Sequence, residues 1–382
     1  MEAAGESQLV LLVDDDPAIT EGLAAGLERE GRTIITCSDI ESAQLIVERM
    51  RPSHVVADIR LSGPFGFEGL DFIRHVQRYA PESRVILISG DGAEALQLEA
   101  SRRGAVAFLQ KPFGVDVLDS TLDLISCSAL SSAGDFGPIV RVPSLESVLV
   151  SDALRPLFQP IVRLSAGHGI LGYESLARFR SESPLRNPEV LFEYAARKQR
   201  VTELEFACIA RSLEAAVRLP SGSLIFMNLH PRVLESGATL RNTLQRRAKA
   251  MSVALDRVVL EITEQSSLSG TPAVLETVES LRDLGIRFAF DDVGVAYSHL
   301  PLIDKIRPRF LKISQHFGTG FEADATRMKI VTNLLSLARD FNCQLILEGI
   351  ERMSTADAAA GLGIPLGQGF FFGAPADVAC FS

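Results

Sequence analysis

The chain has 382 residues, of which 47% are apolar and 23% charged, and its net charge is −10. That length exceeds one ordinary core and suits two domains, or a small domain beside a barrel. The composition is that of a folded protein, and the negative balance supplies no basic footprint for nucleic acid. The first predicted element is a buried strand at 9–13, LVLLV, ended by Asp14, Asp15, Asp16 and Pro17. A helix follows, with Ile19, Leu23 and Leu27 on one face and Gly31 as its stop. Short apolar runs recur at 33–37, 54–57, 84–88 and 105–108, separated by helical stretches. This alternation predicts a doubly wound (βα)5 parallel sheet, whose ligands sit at the carboxyl ends of its strands. The polar residues there are Asp14, Asp15, Asp58, Ser89 and Lys111.

Residues 126–142 are rich in Ser, Ala and Gly with weak periodicity and predict a linker between a domain at 1–125 and one at 143–382. Beyond it, strands are expected at 157–162, 172–177, 224–228, 257–261, 286–291, 309–313, 344–348 and 369–372. One helix starts at the Thr271-Pro272 cap and stops at Gly285. Strands joined mostly by helices over this length predict a (β/α)8-like TIM-type barrel. No leader pattern is visible, and no apolar run approaches the roughly 20 residues of a membrane span, so membrane insertion is not expected. Cys37, Cys127, Cys208, Cys343 and Cys380 form no C-x-x-C pair. A reducing cytoplasm is the expected compartment. No basic helix-turn-helix tail follows the barrel, so DNA is not an expected partner.

Phosphorylating an aspartate needs carboxylates that hold a divalent metal, a cation and a hydroxyl. Asp14, Asp15 and Asp58 suit the metal, Lys111 the phosphoryl charge and Ser89 a hydrogen bond to it. The signatures VDDDP (13–17), VVADIR (55–60), ISG (88–90) and LQKPF (109–113) resemble those of response-regulator receiver domains across residues 8–125. The resemblance implies that Asp58 accepts phosphate from a histidine kinase. Asp14, Asp15 and the Arg60 carbonyl would ligate Mg²⁺, and Ser89 with Phe108 would form the switch pair beside Lys111. LSGPFGFEG (61–69) is longer than the family's usual loop after the acceptor strand.

In the second half nearly every strand ends in a polar residue: Gln159, Glu174, Asn228, Glu261, Asp291, Asp292, Lys312, Glu348 and Gln368. In a barrel these ends converge on one mouth, and carboxylates meeting there repel unless cations hold them. Oxygen ligands with one Asn suit Mg²⁺ or Mn²⁺, Asp291-Asp292 allows one carboxylate to bridge two ions, and such a pair activates water for attack on phosphorus. YESLAR (173–178), FQPIV (158–162), FMNLH (226–230), LEITE (260–264), FDDVG (290–294), LKIS (311–314), LEGIE (347–351) and GQGFFFG (367–373) resemble EAL-type cyclic-di-GMP phosphodiesterases over about 145–380.

The resemblance implies a first metal on Glu174, Asn228, Glu261 and Asp291, and a second on Asp291 and Asp292. Lys312 would contact the attacked phosphate or its water, and Glu348 would be the base or a metal-water ligand. Arg178 would pair with phosphate and Gln368 would touch substrate, with Gln159 in the same substrate-binding set. Glu264 would brace the loop after Asp292, and Glu351 would support the site. Three departures stand out: Ser175 replaces the tripeptide's alanine, DDVGVAYSHL (291–300) replaces DDFGTGYSSL, and Ser314 stands where K-x-D has an aspartate. A serine hydroxyl is a poor substitute for an anionic ligand, so the second ion is expected to bind weakly. The first reading is therefore a phosphorylation-controlled hydrolase producing linear pGpG. Its rivals are a cyclic-di-GMP sensor signalling through protein contacts and a purely structural scaffold. A homodimer is the expected assembly. The histidines form no ligand cluster, and Ser175 has no His/Asp relay, which disfavours a serine hydrolase.

Overall fold

The structure, a computed structural model, describes residues 8–61, 68–90, 94–125, 137–150, 152–165, 167–262, 271–294 and 300–381. The chain forms two compact units, Met1–Ala153 with Phe179–Arg200, and Leu154–Arg178 with Val201–Ser382.

The first unit is built on a parallel sheet of β1 (Gln8–Val13), β2 (Arg32–Cys37), β3 (His54–Asp58), β4 (Arg84–Ser89), β5 (Ala107–Gln110) and β6 (Ile139–Arg141), in the order β5-β4-β3-β1-β2-β6. The aliphatic runs become strands because both sheet faces are covered: Leu9, Val10, Leu11, Ile34, Val55 and Val56 are all buried. Asp16 caps the first helix, Pro17–Leu27, by accepting from the Ala18 N–H. β6 lies within the stretch predicted as linker. It pairs Ile139–Arg141 with Ile34–Thr36 and buries Val140; three residues are too few to show a strand period against a Ser/Gly background.

Helix Pro188–Arg197 belongs to the same unit and packs on helix Ile40–Met50. Arg197 reaches both Glu48 oxygens at 3.1 and 2.6 Å, and the Tyr194 hydroxyl donates to Asp39 at 2.6 Å.

His54 is 1% exposed on β3, with Nδ1 3.0 Å from the Ser53 hydroxyl. Burial, helped by the Arg32 and Arg84 charges, pushes its pKa down to about 4 from 6.5. The unfolded chain therefore takes up this proton first. The stability it confers is complete above pH 6.5 and is lost as the pH falls toward 4, by roughly 2–3 kcal/mol in all. His54→Leu should flatten the difference in thermal midpoint between pH 7.5 and 5; an unchanged difference would contradict the assignment.

The second unit holds β7 (Leu154–Arg163), β8 (Ile170–Phe179), β9 (Leu224–Leu229), β10 (Val258–Ile262), β11 (Arg287–Val293), β12 (Phe310–Ile313), β13 (Gln344–Leu347) and β14 (Leu366–Gln368). They close into a barrel, with β7 antiparallel to β14. One inward layer, Ile161, Phe226, Val259, Ala289, Phe310, Ile346 and Leu366, fills the interior as a packed core rather than a pore. The predicted helix appears as Pro272–Arg282, with Thr271 accepting from Val274 and Gly285 at φ +86 closing the turn. The last strand comes earlier than predicted, at Leu366–Gln368 rather than 369–372. A Cβ at Gly369 would stand 2.1 Å from the Ile350 carbonyl, so the chain turns there, and Phe371 and Phe372 pack on the outer core instead. No helix among the described residues is long and apolar enough to cross a membrane.

Candidate functional sites

In the first unit, β1 and β3 deliver Asp14 and Asp58 to the sheet's carboxyl edge, and Lys111 follows β5. The Lys111 ammonium donates to Asp14 at 2.7 Å and to Asp58 at 2.5 Å. Burial opposes its charge, but the two carboxylates outweigh this and raise its pKa. Asp58 Oδ1 accepts from the Arg60 N–H at 3.0 Å, and Asp14 accepts from Asp16. The Lys111-Pro112 peptide is cis. Ser89 is buried, and its carbonyl takes the Lys111 N–H at 2.8 Å; Phe108 is half-buried on β5. Asp15 is exposed and joins no group of converging carboxylates among the described residues, whereas Asp14 and Asp58 share the Lys111 ammonium. Gly69 packs so tightly that an added Cβ would lie 2.3 Å from the Asp58 carbonyl.

At the barrel mouth the strand register does the positioning. Asn228, Glu261, Asp291 and Lys312 sit toward the carboxyl ends of β9 to β12, Glu174 lies midway along the longer β8, and Glu348 follows β13. Lys312 is 0% exposed, and its ammonium lies 3.1 Å from Glu174, 3.2 Å from Glu261, 3.4 Å from Asp291 and 2.8 Å from Glu348. Asn228 donates to Glu174 at 3.2 Å. Gln368 donates to Glu174 at 2.6 Å and to Gln159 at 3.0 Å, and Gln159 donates to the Gly373 carbonyl.

One ammonium does not neutralise this set. Burial and the repulsion of Glu174, Asp291 and Glu348 hold Glu261 well above the carboxylate range, against the pull of Lys312. Burial likewise raises Asp291, and lifts Glu348 to about 8. Glu174 is depressed: burial opposes its charge, but Lys312, Gln368 and Asn228 prevail. Lys312 is raised well above its ordinary value because the carboxylate field exceeds its own burial cost. Glu261 is wholly buried, and its Oε1 has no hydrogen bond, only the 3.2 Å ion pair with Lys312. Oxygens of Glu174, Glu261 and Asp291 lie within 4.8 Å of one another, as do those of Asp291, Asp292 and Glu348. An oxygen-rich cradle whose carboxylates outnumber its one ammonium fits divalent cations.

Asp292 adopts φ +54, uncommon for a residue with a Cβ. Ser314 is buried and caps the short helix Gln315–Gly318 through its hydroxyl. The second acidic group closes without it, through Glu348. Val293 is buried in the core. Ser175 donates to the Ser212 hydroxyl at 2.7 Å, a buried structural bond. Arg178 donates to its own neighbour's carbonyl, on Ala177, and Glu351 is exposed. Glu264, Val295 and Ala296 lie outside the described residues.

Glu205 escaped the sequence reading. It is buried, its pKa is raised by desolvation to about 8, and it accepts the His230 N–H at 2.8 Å just after Asn228. A glutamate on the buried face of an otherwise amphipathic helix, Val201–Ala216, was the available signal.

A Cβ at Gly318 would lie 1.8 Å from the Glu348 carbonyl. Gly318→Ala should therefore displace Glu348 and cost about 1–3 kcal/mol of stability by overpacking; an unaltered thermal midpoint would contradict this close approach.

Residues 144–375 match the EAL domain family, and residues 10–123 match the response regulator receiver domain. The chain is 27% identical over 219 residues to the cyclic di-GMP phosphodiesterase TpdA of Vibrio parahaemolyticus, covering 56% of this chain and 36% of that one. It is 39% identical over 110 residues to the nitrogen assimilation regulatory protein NtrX of Azorhizobium caulinodans, covering 28% and 24%. A solved structure, the manganese/cyclic-di-GMP complex of BlrP1 from Klebsiella pneumoniae, superposes with TM-score 0.53 at 25% identity, covering 62% of this chain and 58% of that one. The chain thus spans about a third or less of the two curated relatives' lengths. A barrel of this topology, with its acidic mouth and a family match over more than half the sequence, settles the lineage: the chain belongs to the EAL domain family and carries a response regulator receiver domain ahead of its barrel.

Proposed function

We propose that the barrel hydrolyses one phosphodiester bond of cyclic di-GMP to linear pGpG, and that phosphorylation of Asp58 by a histidine kinase controls it. The observation that carries this reading is the convergence of Glu174, Asn228, Glu261, Asp291 and Glu348 around Lys312. Glu174, Asn228, Glu261 and Asp291 would hold one Mg²⁺ or Mn²⁺, and Asp291 with Asp292 a second. Bound there, such ions supply charge that acidifies water and steadies the phosphoryl oxygens. Lys312 presents an ammonium to the attacked phosphate, and Glu348, oriented by Lys312, accepts the proton of the attacking water. The new bond joins water oxygen to phosphorus, and the bond to the 3′ oxygen breaks. Gln368 and Gln159 form a braced amide pair for the substrate, with Arg178 as a phosphate partner. Glu264 and Glu351 would support this site.

In the receiver, Asp14, Asp15 and the Arg60 carbonyl would hold Mg²⁺ beside Asp58, and Ser89, Phe108 and Lys111 would register the phosphoryl group. The functional division is 1–125 and 143–382, joined through 126–142, of which Ile139–Arg141 pairs with the first sheet, in a cytoplasmic homodimer. Cleavage should be measured with Mg²⁺, Mn²⁺ and Ca²⁺, with and without a small phosphodonor. pGpG with Mn²⁺ is expected, altered in rate by the donor; no turnover at high enzyme concentration in any arm would refute hydrolysis.

Ser314 favours a second reading, a sensor that binds cyclic di-GMP without cutting it. Its hydroxyl is engaged as a helix cap where an anionic ligand is the family habit. Tight binding with no cleavage, and cleavage gained on Ser314→Asp, would select the sensor.

A further inference from the structure

The barrel has a second concave site, at the end opposite the carboxylates. A cavity of about 880 Å³ opens among the first residues of the parallel strands and the last of the antiparallel β7. Its floor is apolar, from Leu171, Phe310 and Leu366, and its rim carries Arg163, Arg287 and Arg309. No carboxylate lines it among the described residues. A neighbouring recess of about 430 Å³ shares Arg287 and Arg309 and adds Arg282 and Arg307, again without an acidic side chain.

In the larger cavity, Arg163 and Arg287 are anchored by backbone carbonyls, and none of its three guanidinium groups is neutralised by a carboxylate among the described residues. Arg163 donates to the Ile170 carbonyl at 3.1 Å and Arg287 to that of Asp256. Among the described residues no carboxylate lies within ion-pairing distance of Arg163, Arg287 or Arg309. In a chain of net charge −10, a concave concentration of positive charge at one end of a barrel focuses anions. Guanidinium forks match phosphate oxygens in pairs, and the rim uses arginine without lysine. The volume lies within the roughly 300–1,000 Å³ of small-molecule sites, so a bare inorganic anion would leave the apolar floor uncovered.

We propose that this pocket binds a phosphorylated nucleoside, with phosphates on Arg163, Arg287 and Arg309 and the ring system on the Leu171, Phe310 and Leu366 floor. The site is separate from the carboxylate mouth, where anions are repelled unless divalent cations are present. Chelation of metal therefore tells the two apart.

Calorimetric titration of the full chain in EDTA with GMP, GTP and pyrophosphate tests it. GTP should bind, with affinity falling as salt rises, and more tightly than pyrophosphate, which lacks a ring. Arg163→Ala with Arg309→Ala should weaken GTP binding at least tenfold. Ala360→Phe, an exposed lining position on helix Met353–Gly361, should block the pocket without removing a charge. No nucleotide binding in EDTA, binding untouched by both variants, or capture of a polyglutamate peptide but no nucleotide would each overturn the proposal. Equal affinity for pyrophosphate and GTP would overturn the nucleoside assignment.

Discussion

Glu174→Ala should leave a folded barrel whose cleavage of cyclic di-GMP falls on the order of 1,000-fold or more, the scale set by losing preorganised charge at a phosphoryl centre. Glu174 is the hub of the mouth. Its oxygens take hydrogen bonds from Asn228 at 3.2 Å, Lys312 at 3.1 Å and Gln368 at 2.6 Å. Truncation removes a candidate metal ligand and also frees the Gln368 amide, which otherwise bridges Glu174 and Gln159. Turnover should fall more than substrate affinity, because Gln159 and Arg178 are untouched. Steady-state cleavage with Mn²⁺, alongside circular dichroism, provides the check. A folded variant retaining activity within tenfold of the parent would sink the assignment.

Lys312→Met should act first on stability. The side chain is wholly buried and is the cation shared by Glu174, Glu261, Asp291 and Glu348. Removing one partner from a buried ionic cluster typically costs about 3–5 kcal/mol, which for a barrel of this size lowers the thermal midpoint by roughly 10 °C. Protonation of the carboxylates limits the loss, since Glu261 and Asp291 are already raised and Glu348 stands near 8. Mn²⁺ should restore part of the midpoint, because a divalent ion binds the native cluster and not the unfolded chain. Calorimetry of parent and variant in EDTA and in Mn²⁺ tests both halves. Equal midpoints in EDTA would show that Lys312 does not hold the cluster together.

The two glycine contacts show a different dependence. Gly69 approaches the Asp58 carbonyl and Gly318 the Glu348 carbonyl. Each is a place where a neighbouring segment comes close enough to exclude a Cβ, beside Asp58 in one unit and Glu348 in the other. Local sequence carries no sign of this, because the partner segments are remote or run in other elements. The polar strand ends, by contrast, were legible as a set. Asp14, Asp58 and Lys111 meet, and so do Glu174, Asn228, Glu261, Asp291, Lys312 and Glu348. A strand's end is a local property, and parallel strands in one sheet bring their ends to one edge.

Sequence alone determined the two α/β patterns and the polar set at the strand ends, because hydrophobic period and residue type depend only on neighbours in the chain, and its short motifs carried the resemblance of each half to a family. Tertiary structure decided the rest. It placed Lys312 among its carboxylates, gave Ser314 a cap to make and closed the second acidic group through Glu348. It turned Ile139–Arg141 into a sixth strand and set Glu205 beneath His230. It also gathered arginines from the ends of separate strands around one pocket. Each of these depends on how distant segments approach and on which charges share a low-dielectric space, and neither quantity is written in any local stretch of residues.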